Sequence, residues 1–282
     1  YEEILRVVRI ASDLGVRKVR ITGGEPLSRK NITFLTSAIK KINGIEDLSL
    51  TTNGVLLEGL AEQLSESGVD RVNISLDSMR PERFRKITRG GDLDLILRGI
   101  EKARNAGLRP VKINMIPMRG INDDEIVDFA RITLNKGYHV RFIEFMPYGH
   151  HGFWSPEKYI PCEEIRSIAE TLGPLTPVKV RKNGPSKYFR FENAEGVIGF
   201  ISAITHHFCE DCNRLRLTSD GKLKPCLFSE TEIDLKPALR GNNDDSEIER
   251  LLRLAIEIKP KGHTLDGRCG TKLPRSMSQV GG

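Results

Sequence analysis

No apolar run in this chain of 282 residues approaches the length that crosses a bilayer, so a membrane partner is not expected. No basic-then-apolar leader precedes the first helical pattern, and no segment is of low complexity. Charge of one sign is also in short supply: 44 Lys and Arg against 38 Asp and Glu leave only +6. That tilt favours anionic partners but falls short of the basicity of nucleic-acid binders, so nucleic acid is not an expected partner either. Cysteine is scarce and odd in number, at Cys162, Cys209, Cys212, Cys226 and Cys269. An odd count with one tight cluster excludes a disulfide framework and points to a reducing compartment and metal ligation. What remains is a chain long enough for one large core, or for one domain with a smaller second one.

The cluster is the most informative stretch. CEDCNRLRLTSDGKLKPC sets Cys209, Cys212 and Cys226 at C-x2-C-x13-C spacing, with Arg214 and Arg216 directly behind the second thiol. A tetrahedral metal held by three protein ligands keeps a free position, which marks chemistry more often than scaffolding. Forked cationic donors beside that position suit a phosphate or another anion. A structural zinc ribbon is the competing reading, with His206 of HHFC as its fourth ligand.

Helical and strand patterns alternate through the first half. EEILRVVRIASDLG precedes VRKVRIT, and Ile32 to Ile42 precedes LSLTTNG. Leu60 to Ser67 precedes VDRVNISLD, Leu93 to Ala106 precedes VKINMIP, and Asp124 to Lys136 precedes VRFIEFMP. Five apolar strands alternating with helices are the signature of parallel βαβ units, whose ligands gather at the carboxyl ends of the strands. The series opens on a helix with no strand before it, so the expectation is a barrel whose first strand is absent from this chain. Beyond Pro147 the pattern changes. An aromatic, turn-rich stretch leads to a helix from Glu163 to Leu172, short strands at VKVRK, YFRFE and GVIGFIS, and a hairpin turning at SDGK. A last helix, Ser246 to Ile258, leads into a Gly-rich, basic tail. The expected division is 1–147, a partial barrel, and 148–282, a smaller α+β region across its mouth.

Several polar residues fall at strand ends. Gly23-Gly24-Glu25-Pro26 follows a strand directly; two glycines let a ligand approach the backbone, and Glu25 with its neighbouring amides suits an amino acid's ammonium group, unless the segment is an ordinary turn. Arg20, Lys112 and Arg141 each lie inside a strand, where an inward-pointing charge is costly without a partner. Three such cations are harder to dismiss than one. Thr51, Ser75 and Asp77 taken singly read as caps or turn formers, and Met146 as a core residue.

Taken together, ITGGEPL, TTNG, ISLDS, CNRLRLTSDG and a terminal Gly-Gly resemble the molybdenum cofactor biosynthesis protein A family. These are GTP 3',8-cyclases of the radical S-adenosylmethionine (SAM) superfamily, and the resemblance covers nearly the whole chain. It implies an incomplete (βα)6 TIM-like barrel of class α/β with a C-terminal α+β region covering its mouth. By the same resemblance, Cys209, Cys212 and Cys226 ligate a [4Fe–4S] cluster whose fourth iron is open to guanine. Arg20, Thr51, Lys112, Arg141, Arg214, Leu215 and Arg216 match GTP-binding positions; Gly24, Ser75 and Met146 match SAM contacts; Gly281 and Gly282 match a tail needed for activity. The implied partners are GTP, SAM, an electron donor and the next enzyme of the molybdopterin pathway, and a homodimer is compatible with it. The implied compartment is the cytoplasm, or the mitochondrial matrix in a eukaryote.

One element of the family pattern is missing. Family members carry a second [4Fe–4S] cluster, the one that cleaves SAM, on a C-x3-C-x2-C loop near the N-terminus, and these 282 residues contain no such motif. The expectation is that the loop precedes Tyr1 and that these residues alone are inactive. Two other readings stay open: a different radical SAM maturase with an auxiliary cluster, and a non-catalytic zinc protein using His206, His207 or His263.

Overall fold

The computed structural model describes residues 1–148, 153–180, 184–206, 208–241, 244–263, 275 and 277–280. The first half follows the expected alternation: α1 (Glu2–Asp13), β1 (Lys18–Ile21), α2 (Ile32–Lys40), β2 (Asp47–Thr52), α3 (Leu57–Glu66) and β3 (Arg71–Ser75). Two helices then separate β3 from its neighbour, α4 (Pro81–Thr88) and α5 (Leu93–Asn105), before β4 (Lys112–Met115), α6 (Ile126–Asn135) and β5 (His139–Ile143). Helix α4 was not anticipated. Proline at its start favours the helix, but it buries only Phe84, so it carries no apolar stripe for periodicity to detect.

After α7 (Cys162–Ala169) come β6 (Leu175–Pro177), β7 (Lys187–Phe191) and β8 (Val197–Ile201). The expected strand at VKVRK lies earlier, at β6, and the first three residues of that stretch, Val178 to Val180, fall outside any strand. One sheet runs in the order β1-β2-β3-β4-β5-β8-β7-β6. Pairing is parallel from β1 through β5 and on to β8, then antiparallel to β7 and β6. Strand β8, read from sequence as part of the C-terminal region, is thus a sixth parallel strand of the barrel sheet. All five of its residues are buried, as a central strand covered on both faces requires.

Period-2 alternation divides this sheet into two chemically different faces. Leu48, Leu50, Val72, Ile74, Ile113, Met115, Val140 and Phe142 are at most 2 % exposed and join one core with residues of α2, α3, α5 and α6. Burial of each such side chain contributes roughly 1.5–3 kcal/mol. The intervening positions hold Arg20, Ser49, Thr51, Arg71, Asn73, Lys112, Asn114 and Arg141. The second face is therefore the wall of a polar lumen. Such a wall is what lets one sheet be a fold on one side and a site on the other.

The remaining elements are β9 (Arg216–Leu217), β10 (Lys222–Lys224), β11 (Ile233–Asp234), α8 (Lys236–Arg240), α9 (Asp245–Glu257) and α10 (Met277–Val280). The SDGK turn joins β9 and β10 as an antiparallel hairpin, with Gly221 at φ 81°, a conformation glycine adopts without strain. Leu223, Leu235, Ile248 and Leu252 form a second core with Val7 and Ile10 of α1. Helix α1 also packs Ile4, Leu5 and Val8 on the first core, so it fastens the C-terminal unit beside β1. Pairs Arg6–Asp245 (2.6 Å) and Arg240–Glu3 (2.7 Å) flank that joint. Among the described residues, no helix is long and apolar enough to cross a membrane.

Candidate active site

Arg141, at the centre of β5, is 4 % exposed and faces the lumen. Its Nε donates to Asn114 Oδ1 at 2.8 Å and its Nη2 to Asn73 Oδ1 at 2.7 Å. Asn73 in turn donates to the Leu50 carbonyl (2.9 Å) and to Thr51 Oγ1 (3.4 Å). The guanidinium is thus held by amide dipoles, and among the described residues no carboxylate pairs with it. A buried cation satisfied only by neutral groups keeps its demand for an anion.

Arg20 and Lys112 add to that demand. Arg20 is open to water by surface area yet deeply surrounded by protein atoms, as a side chain lining a wet cavity is. Burial first, then the guanidiniums of Arg141, Arg71, Arg214 and Arg216, push it down to about 10; water in the cavity screens part of this, and it stays charged at neutral pH. Lys112 donates to Tyr188 Oη at 3.4 Å. Burial, with Arg141, Arg71 and Arg20 beside it, brings its ammonium down to about 7. The carboxylate on this face, Asp47, is engaged by Arg71 in a buried ion pair. Lys112 and Arg71 also border a cavity of about 650 Å³ at the amino ends of β3, β4 and β5, together with Arg104, Arg109, Tyr138 and His139. That cavity lies at the end of the sheet away from the thiols.

The three thiols stand at the other end. Cys209, Cys212 and Cys226 are half-buried and free of disulfides. The Cys212 amide donates to the Cys209 carbonyl (3.1 Å), which folds the C-x2-C loop into a turn. Burial works to raise the Cys212 thiol, but hydrogen bonds and charge from Arg214, whose Nε lies 3.5 Å from the sulfur, hold it below its ordinary value. Lys259, just past α9, donates to the Arg214 carbonyl (2.8 Å) and the Pro225 carbonyl (2.7 Å), clamping the two arms that carry Cys212 and Cys226. Arg216 is held down to about 10 by burial and by Arg214, while Tyr148, Cys212 and Cys226 act in the opposite sense. One guanidinium therefore lies within electrostatic reach of two of the thiols.

Three thiols without a disulfide, beside fixed positive charge, fit an iron–sulfur cluster, whose thiolates bind separate irons. Among the described residues, no three His, Cys, Asp or Glu side chains converge on a single ion. His206, the candidate fourth zinc ligand, has its Nε2 3.0 Å from Glu163 Oε1 on the surface. His263 packs on Phe228 at 4.6 Å between ring centroids, and His207 lies outside the described residues. Cys162 is buried at the start of α7, and burial pushes its thiol up to about 12, so it is inert packing. Cys269 lies outside the described residues.

The Gly-Gly-Glu-Pro loop follows β1. Gly23 has φ 130°, and a Cβ added at Gly23 or Gly24 meets nothing within 4 Å. That open backbone fits the approach of a SAM-sized ligand. Glu25 corrects the sequence expectation: its oxygens accept from Leu27 N (3.0 Å), Thr52 Oγ1 (2.7 Å) and Asn53 N (2.7 Å). It straps the loop to the end of β2 instead of offering a free carboxylate to a ligand's ammonium. Ser75 is exposed at the end of β3, and Met146 is half-buried just beyond β5. Gly24, Ser75 and Met146 thus share the rim at the carboxyl ends of β1, β3 and β5. Leu215 packs against the second core between Arg214 and Arg216. Gly281 and Gly282 lie outside the described residues, but the carbonyl of Val280 before them accepts from Arg216 Nη1 at 3.4 Å.

Sequence reasoning missed several residues of this site. Asn73 and Asn114 were detectable as polar residues at alternate positions of apolar strands. Glu144 carried no such signal, although it is fully buried and accepts from Cys162 N (2.9 Å), Ile204 N (2.7 Å), Thr205 N (3.0 Å) and Thr205 Oγ1 (2.5 Å). It anchors the segment that leads to Cys209. Lys259 was equally silent, because its two acceptors are backbone carbonyls.

Comparison with known proteins shows the family of the chain. Residues 1–132 match the family model of the radical SAM superfamily, and residues 138–265 that of Molybdenum Cofactor Synthesis C. The GTP 3',8-cyclase of Syntrophomonas wolfei is 47 % identical over 282 residues, spanning 100 % of this chain and 86 % of that protein. The GTP 3',8-cyclase of Thermodesulfovibrio yellowstonii is 49 % identical over 283 residues with the same coverage. Among solved structures, SuiB of Streptococcus suis superposes with a TM-score of 0.59 at 16 % identity over 86 % of this chain and 56 % of that one, a likeness of fold alone. With relatives this similar along its whole length, and with both family models matching in succession, the chain belongs to the GTP 3',8-cyclase family of the radical SAM superfamily.

Proposed function

We propose that this protein is a GTP 3',8-cyclase of molybdenum cofactor biosynthesis, converting GTP to (8S)-3',8-cyclo-7,8-dihydroguanosine 5'-triphosphate. The observation that carries this reading is the row of cations from Lys112 through Arg141 and Arg20 to Arg214 and Arg216, the last of which stands near the thiols of Cys212 and Cys226. Arg20, Lys112 and Arg141, with the Thr51 hydroxyl, bind and neutralise the triphosphate. Arg214 and Arg216, with the backbone at Leu215, hold the nucleoside end near Cys209, Cys212 and Cys226, which would ligate a [4Fe–4S] cluster. Gly24, Ser75 and Met146 orient SAM at the rim, and Gly281 and Gly282 complete the site. When bound, the cofactors supply an open iron for the purine and a 5'-deoxyadenosyl radical for the ribose 3' hydrogen. The protein's share is to position C3' against C8 and to exclude water while the new bond forms and an external donor supplies the closing electron.

On this reading residues 1–147, joined by β8, supply the barrel wall, and the rest of 148–282 the thiol loop and tail. The product passes to the next enzyme of the pathway, and a reducing compartment and a homodimer are compatible with it. The test is anaerobic incubation of the reconstituted full-length protein, the SAM-cleaving C-x3-C-x2-C loop expected from the family included, with GTP, SAM and dithionite, and mass spectrometric detection of the cyclised triphosphate and 5'-deoxyadenosine. Both products are expected. Formation of 5'-deoxyadenosine with GTP unchanged would overturn the assignment of substrate.

A further inference from the structure

Helix α10, Met277–Val280, is a single turn, far too short to be stable by itself, so its seat depends on side chains that anchor it. Two do. At its tip, Arg216 Nη1 donates to the Val280 carbonyl, and Val280 is 3 % exposed. At its base stands Arg275, whose guanidinium is spread between two carboxylates from different elements. Its Nε and Nη2 donate to the two oxygens of Glu232 at 2.5 and 2.8 Å, and its Nη1 and Nη2 to those of Asp220 at 3.1 and 2.8 Å.

The acceptors are themselves fixed. Asp220, in the β9–β10 turn, accepts from Thr218 Oγ1 at 2.6 Å. Glu232, beside β11, lies 3.3 Å from Lys222 Nζ and 3.6 Å from Lys224 Nζ, and Lys224 is 1 % exposed. Arg275 and Glu232 have side chains only 15 % and 13 % exposed, so this double fork is unlike an ordinary surface pair. Hydrogen bonds from Arg275 lower both carboxyls, that of Asp220 to well below the usual carboxylate range. The same hairpin thus offers Arg216 at its strand and Asp220 at its turn, and the tail is fixed to both.

We propose that Arg275 is a positioning residue: clamped by Asp220 and Glu232, it seats helix α10 against Arg216, and so holds the chain up to Val280 beside a guanidinium assigned to GTP. This rests on the cyclase reading, in which Gly281 and Gly282 take part in the reaction. Arg275 touches neither substrate nor cofactor and acts only through the tail.

The test is hydrogen–deuterium exchange of the wild-type and Arg275→Ala full-length holoenzymes, the SAM-cleaving loop included, read alongside GTP turnover. Arg275→Ala is expected to speed exchange at 277–280 by about ten-fold or more while the barrel strands exchange as in the wild type. Turnover should fall about ten-fold or more in kcat, with iron content unchanged, and Arg275→Lys should restore part of it, because one ammonium can serve only part of a double fork. Tail exchange at the wild-type rate, or full turnover in Arg275→Ala, would overturn the clamp. If Arg275→Ala exchanges faster everywhere, Asp220→Asn decides: faster exchange confined to the tail sustains the proposal, and an unchanged tail ends it. A wild-type holoenzyme that leaves GTP intact defeats the cyclase reading instead, whatever the tail does.

Discussion

At the scale of single residues, the site is defined by its cations, of which Arg141 has only neutral partners among the described residues. Lys112 is the one that titrates near neutrality. Arg20 on β1, Arg71 on β3 and Arg141 on β5 face it with like charge, Asp47 on β2 opposes them, and Tyr188 on β7 accepts a hydrogen bond from it; His139 stands beside it, itself held down to about 4 by burial and by Lys112. Its folded value of about 7 is below the ordinary lysine value, so in the free site Lys112 is half charged near pH 7, mostly neutral by pH 8 and mostly charged by pH 6. Binding a triphosphate raises that value again. Affinity for GTP is therefore greatest near and below pH 7 and weakens as pH climbs towards 9, with a proton taken up on binding. Calorimetry at pH 8 in buffers of different ionisation enthalpy should find net uptake in the wild type and almost none in Lys112→Arg; equal uptake in both would remove Lys112 from the site. Arg216→Ala should weaken GTP binding by about 2–5 kcal/mol, the cost of leaving a charge-assisted contact unmade, with cluster iron unchanged. Unaltered affinity would show that Arg216 serves only the tail. These cations stand out in sequence because a charge inside an apolar strand is anomalous. Asn73 and Asn114, which hold Arg141, look like ordinary strand polar residues and gain meaning only when β3, β4 and β5 are placed in register.

At the scale of elements, two buried polar residues join parts distant in sequence. Glu144, past the end of β5, satisfies donors at the start of α7 and in the loop after β8. Glu144→Gln would set an amide donor against backbone donors, costing about 1–3 kcal/mol for an unsatisfied group. Calorimetry should show a melting temperature lower by roughly 2–10 °C, and an unchanged one would mean the loop finds other partners. Lys259 clamps the arms of the thiol loop, so Lys259→Met should lose iron to a chelator several-fold faster with little change in melting temperature. Equal loss rates would show that the thiols need no clamp. The helices of the first half were legible because each buries an apolar stripe at helical spacing, whereas α4 buries one residue and left no stripe. The assignment of β8 to the barrel sheet was beyond the sequence, because its run of buried residues fits a central strand in either unit, and only its pairing with β5 decides.

For the whole molecule, one arrangement carries the function: an apolar face that packs helices, a cationic face that forms a lumen, and a hairpin unit fixed by α1 that brings three thiols and two arginines to its open end. The spacing of the thiols and the motif order were readable along the chain. The convergence of Arg20 with Arg214 and Arg216 was not, since it depends on how α1 seats the C-terminal unit beside β1. The most direct test of that convergence is an anaerobic calorimetric titration of GTP into the cluster-loaded protein at two salt concentrations. The site predicts one GTP per chain, with binding that weakens markedly as salt rises, because screening falls on several phosphate contacts at once. No saturable binding, or binding indifferent to salt, would contradict it.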